Sequence, residues 1–190
     1  MNLYDVVMKP LEAYLLADIR KEIVPLAHGD VLELGIGTGA NLPFYNTTTV
    51  TSLTGFDKVF DKELEEKSHI LGDRFHFVQG DMEAMPFAAE SFDAIVATLV
   101  LCSVHPVAGV QSILHALKPG GLFIFMEHIC PTGRLGTLAK KINSAWSKLA
   151  QGCNLTRSTD ILLQESGFAH LDLRYAGSNI ICYGIATKKS

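Results

Sequence analysis

The sequence alternates short apolar segments with segments of helical periodicity, and this order restricts the fold more than any other feature of the chain. Strand-like apolar runs occupy residues 31–34, 50–56, 75–79, 93–100 and 122–126. Apolar residues at helical spacing occupy residues 3–27, 58–69, 106–117, 135–149 and 159–166. Strands that alternate with helices form a mostly parallel sheet with helices on both faces, so we predict an α/β fold of this kind.

The C-terminal segment predicts a departure from parallel order. Apolar and polar residues alternate over 171–175, a turn-rich Ala-Gly-Ser-Asn follows at 176–179, and an apolar run covers 180–187. Two strand-like runs joined by so short a turn indicate a hairpin, which adds one antiparallel strand at or near the edge of the sheet. In such sheets ligands bind at the carboxyl ends of the strands, so the residues that end each strand are the candidates for function.

Composition excludes several function classes. The chain has 190 residues, a formal net charge of −4 and 48% hydrophobic residues. That length suits one domain with a core of its own. No run of lysines and arginines supplies the basic stripe that phosphate neutralisation needs, so we expect no nucleic-acid partner. We expect a monomer or a homodimer.

The sequence also predicts a location. No apolar run approaches the roughly 20 residues of a membrane-spanning helix, and charges interrupt residues 1–20, so no signal-peptide core is present. The four cysteines, at 102, 130, 153 and 182, form no C-x-x-C pair. We therefore expect a cytoplasmic protein with free thiols and no transmembrane segment, while peripheral contact with a membrane stays open.

A glycine-rich turn follows the first strand. It consists of Glu-Leu-Gly-Ile-Gly-Thr-Gly-Ala-Asn over residues 33–41. Glycine lets the backbone turn tightly and approach a ligand closely. Gly35, Gly37 and Ala40 also satisfy the dinucleotide-binding pattern G-x-G-x-x-G/A, and Asp57 follows Gly37 by 20 residues. The turn by itself leaves a nicotinamide oxidoreductase and a purely connecting loop as alternatives.

Acidic residues end the next two strands. A carboxylate at Asp57 can accept hydrogen bonds from ribose hydroxyls, and it can also cap the helix that follows. After the third strand, Asp81 can accept a hydrogen bond from the exocyclic amino group of adenine, and Met82 can cover the ring. The alternative for Asp81 is an ordinary loop aspartate.

Together, these segments resemble the successive motifs of class I S-adenosylmethionine-dependent methyltransferases. The matching segments are ELGIGTG (33–39), GFD (55–57), GDMEAMPF (80–87), SFDAIVA (91–97) and LKPGGLFIFME (117–127). Glu33 and a third glycine at 39 rather than 40 favour this family over dinucleotide enzymes. The resemblance implies a Rossmann-like, seven-stranded, mostly parallel sheet and S-adenosylmethionine as cofactor, with S-adenosylhomocysteine as product. It also implies cofactor contacts from Gly35, Gly37, Gly39, Asn41, Asp57, Asp81, Met82, Thr98 and Leu99.

A narrower resemblance lies in three other segments. TLVLCSV (98–104), FMEHI (125–129) and GCNLTR (152–157) are similar to segments of the methyltransferase-like thiol methyltransferases of animals and their bacterial relatives. This implies methyl transfer to a small, mostly apolar acceptor, with sulfur preferred. The animal proteins begin with a hydrophobic membrane anchor that this sequence lacks at its start. Alternatives are a quinone-precursor or phospholipid methyltransferase, an NAD-dependent oxidoreductase and a catalytically silent S-adenosylmethionine-binding module.

Candidates for the acceptor side follow the fourth and fifth strands. Methyl transfer from a sulfonium depends mainly on alignment of the acceptor and exclusion of water, and a general base is optional for a thiolate. We predict His128 as the catalytic base, and the predicted substrate-side residues are Tyr4, Tyr14, Cys102, His105, Glu127 and Asn154. Structural hydrogen bonds from Glu127 and His128 are the competing interpretation. The cysteines and histidines are irregularly spaced, so we predict no metal site.

The motif positions divide the chain. We predict a single methyltransferase domain over residues 1–190, with a helical lid at 1–27. Residues 28–128 form the predicted cofactor-binding half, and 129–190 form the substrate-side helices and the terminal hairpin. This division leaves no room for an inserted recognition domain, so we expect a small-molecule acceptor.

Overall fold

A computed structural model, which describes residues 16–149 and 152–190, contains one seven-stranded sheet. The strands are β1 (Gly29–Leu34), β2 (Val50–Asp57), β3 (Phe75–Gln79), β4 (Phe92–Thr98), β5 (Leu117–His128), β6 (His170–Ala176) and β7 (Ile181–Thr187). Their order is β3-β2-β1-β4-β5-β7-β6. Strand β7 is antiparallel to both β5 and β6, and the other neighbours are parallel. The predicted α/β sheet with a C-terminal antiparallel hairpin strand is confirmed.

Helices cover both faces of this sheet. Those in the described residues are α1 (Ala17–Ile23), α2 (Lys62–Ser68), α3 (Pro106–Ala116), α4 (Gly133–Leu149) and α5 (Thr159–Glu165). Successive strand side chains point to opposite faces, and they divide into two buried apolar clusters. Helices α1 and α2 pack into the first cluster, and α3 and α5 pack into the second. None of the helices in this part of the chain combines the length and hydropathy of a membrane span.

The described part of the N-terminal segment belongs to the core. Leu16, Ile19 and Ile23 are between 0% and 4% exposed and pack against the sheet. Burial of this extent makes α1 part of the core, and the lid predicted for residues 1–27 stays a prediction, since residues 1–15 lie outside the described residues. Tyr4 and Tyr14, two of the predicted substrate residues, lie outside the described residues.

Two element boundaries differ from the prediction, one because of a helix cap and the other because of a backbone angle. Helix α2 begins at Lys62 instead of 58, since Asp61 caps it by accepting from the Glu63 N–H over 2.7 Å. Asp57 therefore does not cap this helix. Strand β4 ends two residues earlier than predicted, because Leu99 adopts a positive φ of 60°.

Strand β5 is longer than predicted at its start. The predicted helix over 106–117 and strand over 122–126 left residues 118–121 as a connecting loop. In the structure these residues belong to β5, and the register of its pairing with β4 shifts there. Phe92 pairs with Leu117, and Ala94 then pairs with Leu122. A side chain at Gly121 would lie 2.8 Å from the Lys118 carbonyl oxygen, so glycine permits this tight excursion.

Candidate active site

A cavity of about 270 Å³ opens at the carboxyl ends of β1, β2 and β4. This is the edge at which parallel α/β sheets bind ligands. The lining residues come from five segments of the chain and are Gly35, Gly37, Phe56, Asp57, Lys58, Gly80, Met82, Leu99, Val100, Ser103, Val104 and Cys153. The structure therefore brings together the glycine turn, the acidic end of β2 and the segment after α4.

The glycine turn forms one wall through its backbone. Gly35 and Gly37 have φ values of 63° and 51°, a region that side chains disfavour. A Cβ on Gly35 would lie 2.5 Å from Val100 Cγ2, whereas a Cβ on Gly37 would approach only the Gly35 oxygen, at 3.9 Å. Gly39 differs from both, because its Cβ position faces Leu42 at 2.7 Å and it does not line the cavity.

Asp57 joins the end of β2 to the glycine turn. Its Oδ2 accepts from the Gly37 N–H over 2.9 Å, and its Oδ1 accepts from the Val59 N–H over 3.3 Å. The carboxylate lines the cavity and also fixes the turn beside it. A contact between Asp57 and a ribose stays a prediction.

The predicted adenine side contains one buried and one exposed residue. Met82 is 6% exposed and lines the cavity. Asp81 is exposed; it accepts from the Glu83 N–H over 3.0 Å and pairs with Lys58 Nζ over 2.9 Å. These two contacts, the backbone hydrogen bond first, hold the pKa of Asp81 below its usual value. Lys58 lines the cavity as well and was not among the predicted residues.

A buried polar network lies beneath the glycine turn. Asn41 donates to Glu33 Oε1 over 2.9 Å and to Thr98 Oγ1 over 3.1 Å, and it accepts from Arg20 Nε over 3.0 Å. Tyr45 donates to Glu33 Oε2 over 2.8 Å. Asn41 and Thr98 were predicted at the cofactor, but neither lines the cavity. Their side chains hydrogen-bond to each other, and Asn41 also bonds to Glu33, within the buried network next to the glycine turn.

Burial gives Glu33 an unusual ionisation. Loss of water raises its pKa from 4.5 to about 7, although hydrogen bonds from Tyr45 and Asn41 act in the opposite direction. The folded protein therefore binds a proton at Glu33 that the unfolded chain releases at lower pH. This contribution to stability is complete below pH 4.5 and is lost as the pH rises through about 7.

We therefore expect Glu33→Gln to flatten the pH dependence of stability. Between pH 4.5 and 7 the titration of Glu33 lowers the unfolding free energy of the wild type by on the order of 3 kcal/mol. The variant lacks that component, so its unfolding free energy, measured with urea at both ends of the range, will fall less. The exposed Glu66→Gln serves as the control and retains the wild-type slope. Equal slopes in Glu33→Gln and wild type would contradict the assignment.

Glu127 is buried in the protein and does not face the cavity. It was expected on the substrate side, but its side chain is 0% exposed and does not line the cavity. Its Oε1 accepts from the N–H groups of Val100 and Leu101, each over 2.9 Å, and its Oε2 accepts from the Cys102 N–H over 3.2 Å. The carboxylate thus anchors the loop after β4, which supports the competing structural interpretation, and a substrate role for Glu127 stays a prediction.

Cys102, Cys153 and His128 form a cluster, of which Cys153 lines the cavity. The two thiols pack together beside Trp146. His128 Nδ1 lies 3.9 Å from Cys153 Sγ. The hydrogen bond from Cys102, helped by His128 and opposed by burial, lowers the pKa of Cys153, while the same hydrogen bond raises the pKa of Cys102.

Two further predicted substrate residues have local structural contacts. His105 is exposed at the start of α3, and it is not among the residues that line the cavity. The Asn154 side chain accepts from the Thr156 N–H over 2.9 Å and from the Thr156 hydroxyl over 2.7 Å. Their roles toward a substrate stay predictions.

Some lining residues were missed by sequence reasoning. Cys153 was noted in the sequence but not assigned to the site, and Ser103 and Val104 were not singled out. Ser103 and Val104 belong to the TLVLCSV segment and Cys153 to GCNLTR. The narrower resemblance was therefore the signal that could have identified them. Within the described residues, no group of three metal-ligating side chains is present.

Comparison with known proteins gives a family profile and several similar proteins that match this chain. A family profile described as "Methyltransferase domain" matches residues 32–125. The thiol S-methyltransferase TMT1B of Rattus norvegicus is 36% identical over 152 residues, which are 76% of this chain and 62% of that protein. TMT1A of Homo sapiens is 32% identical over 181 residues, which are 91% of this chain and 73% of that protein. The chain thus spans less than two thirds of the rat relative's length.

A solved structure shares the fold at low identity. Phosphoethanolamine N-methyltransferase 2 of Haemonchus contortus, in complex with S-adenosyl-L-methionine, superposes with a TM-score of 0.72 and 14% identity. The match covers 92% of this chain and 52% of that one. The matched profile runs from β1 to β5, and the human relative is 32% identical over 91% of this chain and 73% of its own length. This chain therefore belongs to the class I methyltransferase family that includes the thiol S-methyltransferases.

Proposed function

We propose that the protein transfers a methyl group from S-adenosylmethionine to a small, mostly apolar acceptor, with sulfur as the acceptor atom. The observation that supports this most directly is the set of residues that line the cavity. The glycine turn and Asp57 lie at one part of its wall, and the apolar loop after β4 and Cys153 lie at another. A cavity built in this way offers a nucleoside-binding part and an acceptor-binding part in one space.

The residues present fit S-adenosylmethionine. The bare backbone at Gly35 and Gly37 suits the methionine part, Asp57 suits the ribose, and Met82 suits the adenine. Asp81 is not among the lining residues, so its contact with the adenine rests on the motif resemblance. When bound, the cofactor supplies a methyl group on a positively charged sulfur, already activated for transfer. The contribution of the protein is then to orient the acceptor and exclude water.

The acceptor side supports a small apolar thiol. Val100 and Val104 give it an apolar wall, which favours burial of an apolar acceptor. The relatives that are 32% and 36% identical are named thiol S-methyltransferases. We propose His128 as the group that takes the acceptor's proton, because its ring lies beside Cys153, which lines the cavity.

Binding and turnover test this proposal together. Calorimetric titration with S-adenosylhomocysteine is expected to give saturable binding with one site per chain, and titration with NAD is expected to give none. Transfer of a labelled methyl group is then measured over small thiols, phenols, quinol precursors and amines, with apolar thiols expected to react fastest. Binding of NAD alone would indicate an oxidoreductase. Cofactor binding without turnover across the whole panel would indicate a silent binding module.

We also propose a small-molecule partner and a cytoplasmic location. All four cysteines are free thiols, and free thiols persist in a reducing compartment. Fractionation of the cells that produce the protein, with detection of the native chain, tests the location. Recovery in the soluble cytoplasmic fraction is expected, and recovery in an extracellular fraction would contradict it.

A further inference from the structure

Two cysteines from distant parts of the chain lie side by side at the acceptor end of the cavity. Cys102 belongs to the loop after β4, and Cys153 belongs to the segment after α4. The Asn154 N–H donates to the Cys102 carbonyl oxygen over 3.0 Å, so the two backbones run next to each other. Disulfides join residues whose Cα atoms are roughly 4.4–6.8 Å apart, and adjacent backbones of this kind suit that separation.

The two thiols differ in how firmly they are held. Cys102 is 1% exposed, and its N–H is bound by the Glu127 carboxylate, which also holds the two preceding residues. Cys153 is also largely buried, at 7% exposed, but it lines the cavity, whereas Cys102 does not. A small reactant that enters the cavity therefore reaches Cys153 before Cys102.

The surroundings make the Cys153 thiol the more reactive of the two. Besides Cys102, the groups around Cys153 are His128, whose Nδ1 lies 3.9 Å away, the Trp146 indole and the buried Glu127 carboxyl. The hydrogen bond from Cys102 and the neighbouring imidazole lower the pKa of Cys153. A thiolate is the nucleophilic form of cysteine, and the thiol proton stays on Cys102.

We propose that Cys153 and Cys102 form a reversible disulfide when a small hydroperoxide enters the cavity. The Cys153 thiolate attacks the peroxide oxygen, the O–O bond breaks, and the leaving alkoxide or hydroxide takes a proton to become an alcohol or water. Cys153 is then a sulfenic acid. The Cys102 sulfur attacks the Cys153 sulfur, the S–O bond breaks, and the departing hydroxyl group takes the Cys102 proton and leaves as water.

The disulfide changes the cavity wall. It links the loop after β4 to the segment after α4, and both contribute lining residues. Two molecules of a small thiol reverse it by exchange, and they leave as a disulfide of their own. The link to methyl transfer rests on the proposed function, because a blocked acceptor end stops turnover only if that end binds the acceptor.

Thiol chemistry on the intact protein tests the site without any methyl acceptor. The reduced chain is freed of reductant, exposed to hydrogen peroxide at low excess and mapped by mass spectrometry under non-reducing conditions. We expect two of the four thiols to disappear, a mass lower by two hydrogen atoms, and one cross-linked peptide pair joining residues 102 and 153. Dithiothreitol is expected to restore all four thiols.

Single variants identify the order of the two steps. Cys102→Ala is expected to stop at the Cys153 sulfenic acid, which dimedone labels, whereas Cys153→Ala is expected to give neither product. Cys130→Ser, a control at a partly exposed cysteine, is expected to form the same cross-link as the wild type. A cross-link through Cys130 or Cys182 in the wild type, or oxidation of Cys130 while residues 102 and 153 stay reduced, would overturn the proposal. Either result leaves the proposed methyl transfer untouched.

Discussion

Replacement of Glu127 by alanine is expected to destabilise the protein by about 3–5 kcal/mol, the largest effect among the single changes considered. Three buried backbone N–H groups, those of Val100, Leu101 and Cys102, would lose their acceptor. A buried donor left without a partner costs roughly 1–3 kcal/mol. The same loop lines the cavity, so affinity for S-adenosylhomocysteine is expected to fall as well. Urea unfolding and calorimetric titration measure the two effects.

A conservative change separates the hydrogen bonds from the charge of this residue. Glu127→Gln keeps one oxygen that can accept from Val100 and Leu101, so we expect it to lose clearly less stability than Glu127→Ala. Glu66→Ala, at an exposed position of α2, is the control and is expected to change stability by under roughly 0.5 kcal/mol. A loss in Glu127→Ala no larger than in Glu66→Ala would show that the carboxylate does not anchor the loop.

Replacement of Asp57 by alanine is expected to weaken binding of S-adenosylhomocysteine by about 1–3 kcal/mol, roughly 5- to 150-fold in dissociation constant. The change removes the carboxylate proposed to bind the ribose, and it also frees the Gly37 N–H, which the Asp57 carboxylate holds at 2.9 Å. Both losses act on the same wall of the cavity. Calorimetric titration of the variant, with urea unfolding to confirm an intact fold, measures the effect.

Asparagine at the same position distinguishes the two contributions. Asp57→Asn can still accept from the Gly37 N–H but carries no charge, so we expect an affinity between those of the wild type and Asp57→Ala. Asp73→Ala, an exposed aspartate outside the cavity, is the matched control and is expected to bind like the wild type. Unchanged affinity in Asp57→Ala would remove Asp57 from the proposed site.

The cofactor side of the cavity could be predicted because its determinants are local. Gly35 and Gly37 adopt positive φ, a conformation that favours glycine and can be recognised from the residue type alone. Asp57 directly follows a buried strand, and strand ends meet at the ligand-binding edge of a parallel sheet. The resemblance of the motifs added the chemistry of the ligand, which spacing by itself left open between a nucleoside and a dinucleotide.

The buried polar residues could not be assigned in the same way. Asn41 and Glu127 each carry polar groups that suit a ligand, but their partners are distant in sequence: Thr98 is 57 residues from Asn41, and Val100 is 27 residues from Glu127. A buried polar group requires a partner, and nothing in the local sequence tells whether that partner is the ligand or the backbone of another loop.

The sequence by itself determined the fold class, the terminal hairpin and the edge of the sheet that carries the site, because strand and helix periodicity and glycine turns are local properties. Only the tertiary structure decided which polar side chains face the cavity and which ones support it. It also decided that Cys102 and Cys153, 51 residues apart, pack against each other. The pairing of segments from different parts of the chain sets these contacts, since side chains meet through packing and not through their order in the sequence.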